Sequence, residues 1–286
     1  MIYIFLSVFF NAILFIILKL FSRFNINTLQ ALVVNYITAF TVGLFFTDET
    51  FEYALLIKKK WYLGSVLLSF LFITVFYATA LTSQRNGLSV ASVASKMSVI
   101  IPICFGVLLY NEKLGIFKLL GIVLALSAVY LTSKKEEGAW SDLKNVYFPI
   151  VVFFGAGSID TGLKILQADF LPENEIALFS SHTFFMAFAI GAIVIGINVI
   201  KNKTKIYGKN CIAGIILGIP NYFSLYFLIK MLDSEVFESS TIFTIHNVAI
   251  VTLTTLVGIV FFNEKISLRN GIGIMAALIA ILLVTN

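Results

Sequence analysis

The chain has 286 residues, of which 59% are hydrophobic and only 12% are charged, and its formal net charge is +5. Its mean hydropathy is +0.99. Soluble domains are typically about half apolar and about a quarter charged, and a soluble globule of this size cannot bury so much apolar surface. The composition excludes a soluble enzyme, a disordered protein and a nucleic-acid-binding domain. It predicts an all-α integral membrane protein.

Ten apolar runs follow one another along the chain, each close to the length of about 20 residues that crosses the hydrocarbon core of a bilayer. The runs are continuous and lack the alternation of membrane-barrel strands, so we predict ten transmembrane helices. Charged or turn residues separate them. The predicted spans are 2–20, 27–46, 61–82, 88–110, 115–132, 147–168, 175–200, 208–231, 236–262 and 268–285.

A short motif occurs twice. The residues NEKL at 111–114 return as NEKI at 263–266, and in both copies a glycine, Gly106 or Gly258, lies six residues before the glutamate. This pattern predicts two copies of one five-helix unit. Because five is odd, the second copy enters from the opposite face of the membrane, which makes an inverted repeat. We predict a first repeat at 1–133, a linker at 134–146 and a second repeat at 147–286.

The repeated NEK turn, each time followed by a short glycine-bearing span, resembles the ten-span EamA-type members of the drug/metabolite transporter superfamily. Gly157, Ser158 and Lys164 match the G-S…K pattern with which that family opens a half, and Pro102 matches its proline in span 4. The first half has no glycine in its G-S…K position, and the span-9 counterpart of Pro102 is Thr254. The resemblance implies a transporter of small metabolites such as amino acids, with export as the direction.

Lys96 is the first candidate for a substrate-binding residue, because a charge in the middle of a bilayer costs several kcal/mol and is therefore usually functional. Ser89, Ser92 and Lys96 stand at i, i+3 and i+7 on one helical face, and Ser95 lies beside it. This face is predicted to line a polar cavity in which Lys96 attracts an anionic group such as a carboxylate. The alternative is a structural lysine bonded to backbone carbonyls.

Span 9 carries the next candidates. Alignment on the two NEK turns places Asn247 opposite Ser95, and the repeat symmetry predicts that spans 4 and 9 come together. His246 either carries a coupling proton or is a buried neutral imidazole. Asp160 and Lys164, at i and i+4 in span 6, either neutralise each other or form a pair that substrate or a proton breaks.

The remaining candidates are two aromatic residues, two amides and two prolines. Tyr77 and Tyr226 are predicted to line the cavity, although most aromatics of such a chain pack or lie at the membrane interface. The amides bind substrate or join helices, and the prolines loosen their helices into hinges. The two amides are Asn11 and Asn221, and the two prolines are Pro102 and Pro220.

Motifs for other chemistries are missing. The chain has no HExxH, no Walker A sequence and no properly spaced nucleophile elbow. We therefore expect no enzyme, no metal and no cofactor, and as partners a small metabolite and membrane lipid but no nucleic acid, in a monomer or homodimer of the cytoplasmic (inner) membrane. An intramembrane enzyme, a channel and a translocator of drugs or lipid-linked sugars are the alternatives. The lysine and arginine distribution favours termini outside, whereas the family resemblance implies cytoplasmic termini.

Overall fold

The computed structural model describes residues 2–47, 52–102, 105, 115–133, 143–202, 205–233 and 239–284. In these parts the chain is helical, as predicted. The helix at the fourth predicted run, 88–110, ends at Met97, and the described residues contain ten helices at the predicted runs. They are α1 Ile2–Arg23, α2 Thr28–Leu44, α3 Tyr62–Arg85, α4 Leu88–Met97, α5 Ile116–Ser133, α6 Leu143–Asp169, α7 Ile176–Asn202, α8 Gly208–Asp233, α9 Ser239–Phe262 and α10 Leu268–Val284. A single turn, Tyr53–Leu56, precedes α3, and a 3-10 turn, Glu173–Glu175, precedes α7.

Five of the helices in the described parts are long and apolar enough to cross a bilayer, namely α1, α3, α6, α7 and α8. The other five contain shorter apolar segments, which are Thr28–Leu44, Leu88–Pro102, Leu119–Thr132, His246–Phe262 and Leu268–Leu283. The chain is therefore a multi-pass helical membrane protein. Span 4 is described only in part, because residues 103–104 and 106–110 lie outside the described residues.

The helices group into two compact units. The first contains residues 1–77 and 162–234, and the second contains 78–161 and 235–286. Helices α3 and α6 contribute residues to both. This grouping reflects the contacts within each unit. The end of the first repeat at 133 and the start of the second repeat at 147 therefore stay predictions.

In the first unit, α2 packs against both α7 and α8, and α1 packs against α8. The contact of α8 with α2 is close because Gly214 and Gly218 stand four residues apart on one face. A Cβ atom on Gly214 would lie 2.5 Å from the carbonyl oxygen of Ala31, and one on Gly218 would lie 2.7 Å from that of Asn35. Small residues at this spacing are the usual means by which helices approach one another in lipid.

In the second unit, α5 packs against α10, and α4 contacts both α5 and α9. The α5–α10 contact is built from alanines, since Ala125, Ala128, Ala277 and Ala280 are all fully buried in it. Helix α9 thus lies beside α4, so the predicted meeting of spans 4 and 9 is confirmed.

The helices that the repeat pattern relates to one another run antiparallel in three pairs. In α2 and α7, Gly43 lies beside Ser181 and Val33 beside Gly191. In α5 and α10, the guanidinium of Arg269 lies over the ring of Tyr130, 5.6 Å from its centroid. The third pair is α4 and α9, where the start of α4 meets the end of α9.

The second NEK turn caps the first turn of α4. The backbone N–H of Leu88 donates to both carboxylate oxygens of Glu264, over 2.8 Å and 3.1 Å. Gly87, with φ of 112°, turns the chain there, and a Cβ atom on Gly258 would lie 2.7 Å from the Glu264 carboxylate. A carboxylate at this place satisfies an unpaired helix N–H and faces the positive end of the helix dipole. The equivalent Glu112 of the first copy lies outside the described residues.

Replacing Glu264 by Ala removes this cap, and we expect the free energy of unfolding of the full-length protein in detergent to fall by about 1–2 kcal/mol. Lys265→Ala, at the exposed neighbouring position, is the matched control and is expected to have little effect. Equal losses in the two variants would show that the turn, and not the carboxylate, supports α4.

Candidate functional site

Helix α4 is interrupted directly after Lys96. Its regular hydrogen bonding ends at Met97, and helical residues resume at Ile100. Between them the N–H of Ile101 donates to the Ser98 carbonyl over 2.8 Å. In a continuous α-helix that carbonyl would accept from residue 102, but residue 102 is a proline and has no N–H. The chain therefore takes a tighter turn, so the break lies one turn before Pro102.

Helix α6 lies close to this break because Gly157 has no side chain. A Cβ atom on Gly157 would lie 2.8 Å from the Ser98 carbonyl oxygen. Asp160, three residues further along, lies on the same face of α6. The side chain of Asp160 hydrogen-bonds with Ser98, whose hydroxyl also contacts the Ser95 carbonyl. The interrupted segment of α4 is thus held to α6 by a carboxylate.

Lys96 and Asp160 attract each other electrostatically. Both side chains are only half-buried, yet both belong to apolar helices in which an uncompensated charge would be costly. The lysine whose charge acts on Asp160 is therefore Lys96, on another helix, and the pair of Asp160 with Lys164 at i, i+4 stays a prediction. Lys164 is exposed and belongs to the first unit.

Two polar residues of α9 complete this part of the second unit. His246 and Asn247 are buried, with relative exposures of 2% and 4%, and their side chains hydrogen-bond to each other. The positive charge of Lys96 acts on His246. The choice between a proton-carrying His246 and a buried neutral imidazole stays a prediction.

The serines of α4 lie on the predicted face, with Ser92 fully buried and Ser95 half-buried. The hydroxyl of Ser92 donates to the Ser89 carbonyl over 3.0 Å, so its proton is already used and its lone pairs remain as acceptors. The Ser89 hydroxyl is buried without a hydrogen-bond partner within the described part of the chain. A buried hydroxyl of this kind normally serves a water or a ligand.

The other predicted site residues lie in the first unit. Asn221 donates from Nδ2 to Oδ1 of Asn35 over 3.1 Å, and both are buried. Asn221 thus joins α8 to α2, which is the structural alternative given for such amides. Tyr226 stacks on Tyr222 with ring centroids 5.7 Å apart.

Tyr77 is 38% exposed and lines a cavity of about 270 Å³ together with Gln30 and Asn198. Asn11 is half-buried on α1. Pro220 is buried inside α8, which continues without interruption to Asp233, so a hinge at Pro220 stays a prediction. The structure therefore assembles Lys96, Asp160, His246 and the neighbouring α4 residues, whereas the predicted aromatic walls and amides of the first unit form separate groups.

The sequence interpretation missed Ser98 and Gly157 as parts of this arrangement. Ser98 lies four residues before Pro102, the position at which a proline leaves a carbonyl unpaired. Gly157 was noticed only as part of the family pattern. In the described residues, no group of three or more histidines, cysteines or acids is placed to hold a metal ion.

The attraction between Lys96 and Asp160 predicts a coupled effect on stability. Lys96→Met and Asp160→Asn should each lower the unfolding temperature, because each leaves a charge without its partner. The double variant should regain part of the loss, with a coupling of about 0.5–3 kcal/mol in a double-mutant cycle.

The matched control cycle pairs Asp160→Asn with Lys164→Met and is expected to be additive. Additivity in the Lys96 cycle, or a larger coupling in the Lys164 cycle, would contradict the pairing across helices.

The chain resembles known proteins in its sequence and in its fold. Residues 1–134 match the sequence model described as the EamA-like transporter family. An uncharacterised protein of Haemophilus influenzae is 29% identical over 272 residues, which cover 93% of this chain and 91% of that protein. A crystal structure of another protein aligns with 99% of this chain and 94% of its own chain, with a TM-score of 0.63 and 11% identity. At that identity the likeness concerns the fold alone.

Proposed function

We propose that this membrane protein, whose residues 1–134 match the model of the EamA-like transporter family, is a secondary carrier of the drug/metabolite transporter type. It exports a small polar metabolite across the cytoplasmic membrane by alternating access. The observation that carries the proposal is the opposed pair of charges, Lys96 and Asp160, beside the interruption of α4. Interrupted helices with polar groups at membrane depth are typical of substrate sites in secondary transporters.

The proposed arrangement has ten spans in two inverted repeats. The antiparallel directions of α2 and α7, α4 and α9, and α5 and α10 support it. If the second repeat were inserted in the same direction as the first, the two helices of each pair would run parallel. Each of these pairs is also in contact, as helices next to a pseudo-two-fold axis in the membrane plane must be.

This topology makes a labelling prediction. In a full-length background with Cys104→Ser and Cys211→Ser, a single cysteine is introduced either in the linker, as Ser141→Cys, or at the C-terminus, as Asn286→Cys. Five spans separate the two positions in the proposed arrangement. A membrane-impermeant maleimide added to intact cells should therefore label only one of them, and permeabilised cells should label both.

Labelling of both positions from outside, or of neither, would contradict the inverted repeat. The labelled position also gives the orientation of the termini, for which the charge distribution and the family resemblance point in opposite directions.

The substrate chemistry follows from the charges. Lys96 attracts an anionic group such as a carboxylate, and Asp160 attracts a cationic group or a proton. Ser92, Ser95 and Asn247 supply hydrogen bonds. A small metabolite with an anionic group, amino acids among them, fits this set. The energy comes from the substrate gradient or from a proton that Asp160 takes up when Lys96 is engaged by substrate.

The short helix α4 is the moving part in this proposal. Its ten residues measure about 15 Å at 1.5 Å per residue. One end is held by the carboxylate of Glu264, and the other ends at the flexible turn before Pro102. A short helix bounded in this way can tilt without breaking further backbone hydrogen bonds, and its tilt moves Lys96 relative to Asp160.

Counterflow in proteoliposomes tests the function. Purified full-length protein is reconstituted with a panel of amino acids and small carboxylic acids inside the vesicles, and uptake of the labelled compound outside is measured. We expect saturable counterflow of at least one anionic or zwitterionic compound. Lys96→Ala should abolish it, whereas Lys60→Ala, an exposed lysine of the first unit, should leave it unchanged.

The outcomes separate the alternatives. Chemical conversion of a compound without translocation would indicate an intramembrane enzyme, and flux without counterflow would indicate a channel. Wild-type counterflow in a correctly folded Lys96→Ala variant would remove Lys96 from the substrate site.

A further inference from the structure

A second feature, in the first unit, lies on the outer surface of α1 and α8. A groove of about 360 Å³ runs between the two helices. Its lining is apolar, with Ile17 and Leu20 from α1 and Ile212 and Ile216 from α8, except at one end, where Lys209 lines it. Ile212 and Ile216 are 61% and 56% exposed, so the groove is open along its side.

The lysine marks the membrane interface and the apolar part lies deeper. The end of α1 meets the start of α8, where the N–H of Asn27 donates to Oδ1 of Asn210 over 3.0 Å. Lys209 is exposed in the first turn of α8, with its Nζ 3.5 Å from the Phe24 carbonyl oxygen. Ile216 lies seven residues further along α8, or about 10 Å towards the bilayer interior. The groove therefore has a cationic end at Lys209, which we call the mouth, and an apolar remainder that resembles the hydrocarbon interior of the bilayer.

The mouth lies in a region without acidic residues. Neither 1–47 nor 176–232 contains an aspartate or a glutamate. Arg23, at the end of α1, and Lys201, Lys205 and Lys209, around the α7–α8 connection, are all exposed. Negative charge to balance these basic residues must come from outside this part of the chain. Each basic residue near a membrane surface increases the binding of an anionic lipid about fivefold.

We propose that this groove binds an anionic phospholipid, with its phosphate at Lys209 and one acyl chain along α1 and α8. An apolar groove on the outer face of membrane helices is filled by acyl chains, because nothing else is present at that depth. The cationic mouth then selects the headgroup. A zwitterionic lipid brings its own cation to a region that already holds four exposed ones, whereas an anionic lipid brings a net negative charge and no further cation. The inference does not depend on the transport function.

Lipid binding to the full-length protein in detergent tests the site, with dioleoyl phosphatidylglycerol and dioleoyl phosphatidylcholine as probes. Bound lipid is counted by native mass spectrometry, and the unfolding temperature is measured alongside. We expect one retained phosphatidylglycerol and a higher unfolding temperature with it than with phosphatidylcholine. Lys209→Gln should weaken phosphatidylglycerol binding about fivefold. Ala213→Phe, which fills the groove, should remove the bound lipid whatever its headgroup.

Ile219→Phe introduces the same side chain at an exposed position of α8 outside the groove and should leave binding unchanged. Equal retention of the two lipids by the wild type would overturn the proposal without any variant. So would undiminished phosphatidylglycerol binding in Ala213→Phe. If glycerol phosphate alone raised the unfolding temperature as much as the lipid, the site would be one for a free anion, and the proposal would also fail.

Discussion

Antiparallel contact between related helices is the constraint on which the rest of this structure depends. In lipid, helices gain little from burying apolar side chains against each other, so close association needs small residues at the contact. Gly43 of α2, Gly191 of α7 and the alanines of α5 and α10 meet that need. With these contacts in place, the end of α9 comes to the start of α4, and Glu264 reaches the N–H of Leu88.

The polar site is a product of the same packing. Pro102 leaves the Ser98 carbonyl without its usual donor, and Gly157 lets α6 approach that carbonyl closely. The approach places Asp160 beside the interruption, where it hydrogen-bonds with Ser98 and is attracted by Lys96. The two half-buried charges thus compensate each other across helices. The irregularity caused by Pro102 and the opposed pair of charges occur together because Gly157 lets α6 approach the irregular segment.

Much of the architecture was predictable, because bilayer thickness dictates the length of each apolar run and charged residues rarely lie within one. Helices therefore lie at the ten runs with bounds near the predicted ones, except that α4 ends at Met97, and the repeated NEK turn correctly placed α9 beside α4. The partner of Asp160 was not predictable. Spacing along a helix shows only which residues are neighbours on that helix, and Lys164 was such a neighbour, whereas packing brought Lys96 from another helix. For the same reason the capping role of Glu264 needed the fold.

The bond between Glu264 and Leu88 has a mechanical consequence. The carboxylate belongs to the turn between α9 and α10, yet the amide that it accepts belongs to the helix bearing Lys96. Any displacement of that turn that keeps the bond must therefore displace the start of α4 as well. Gly87, with φ of 112°, directly precedes Leu88 and is the residue at which the chain turns into α4.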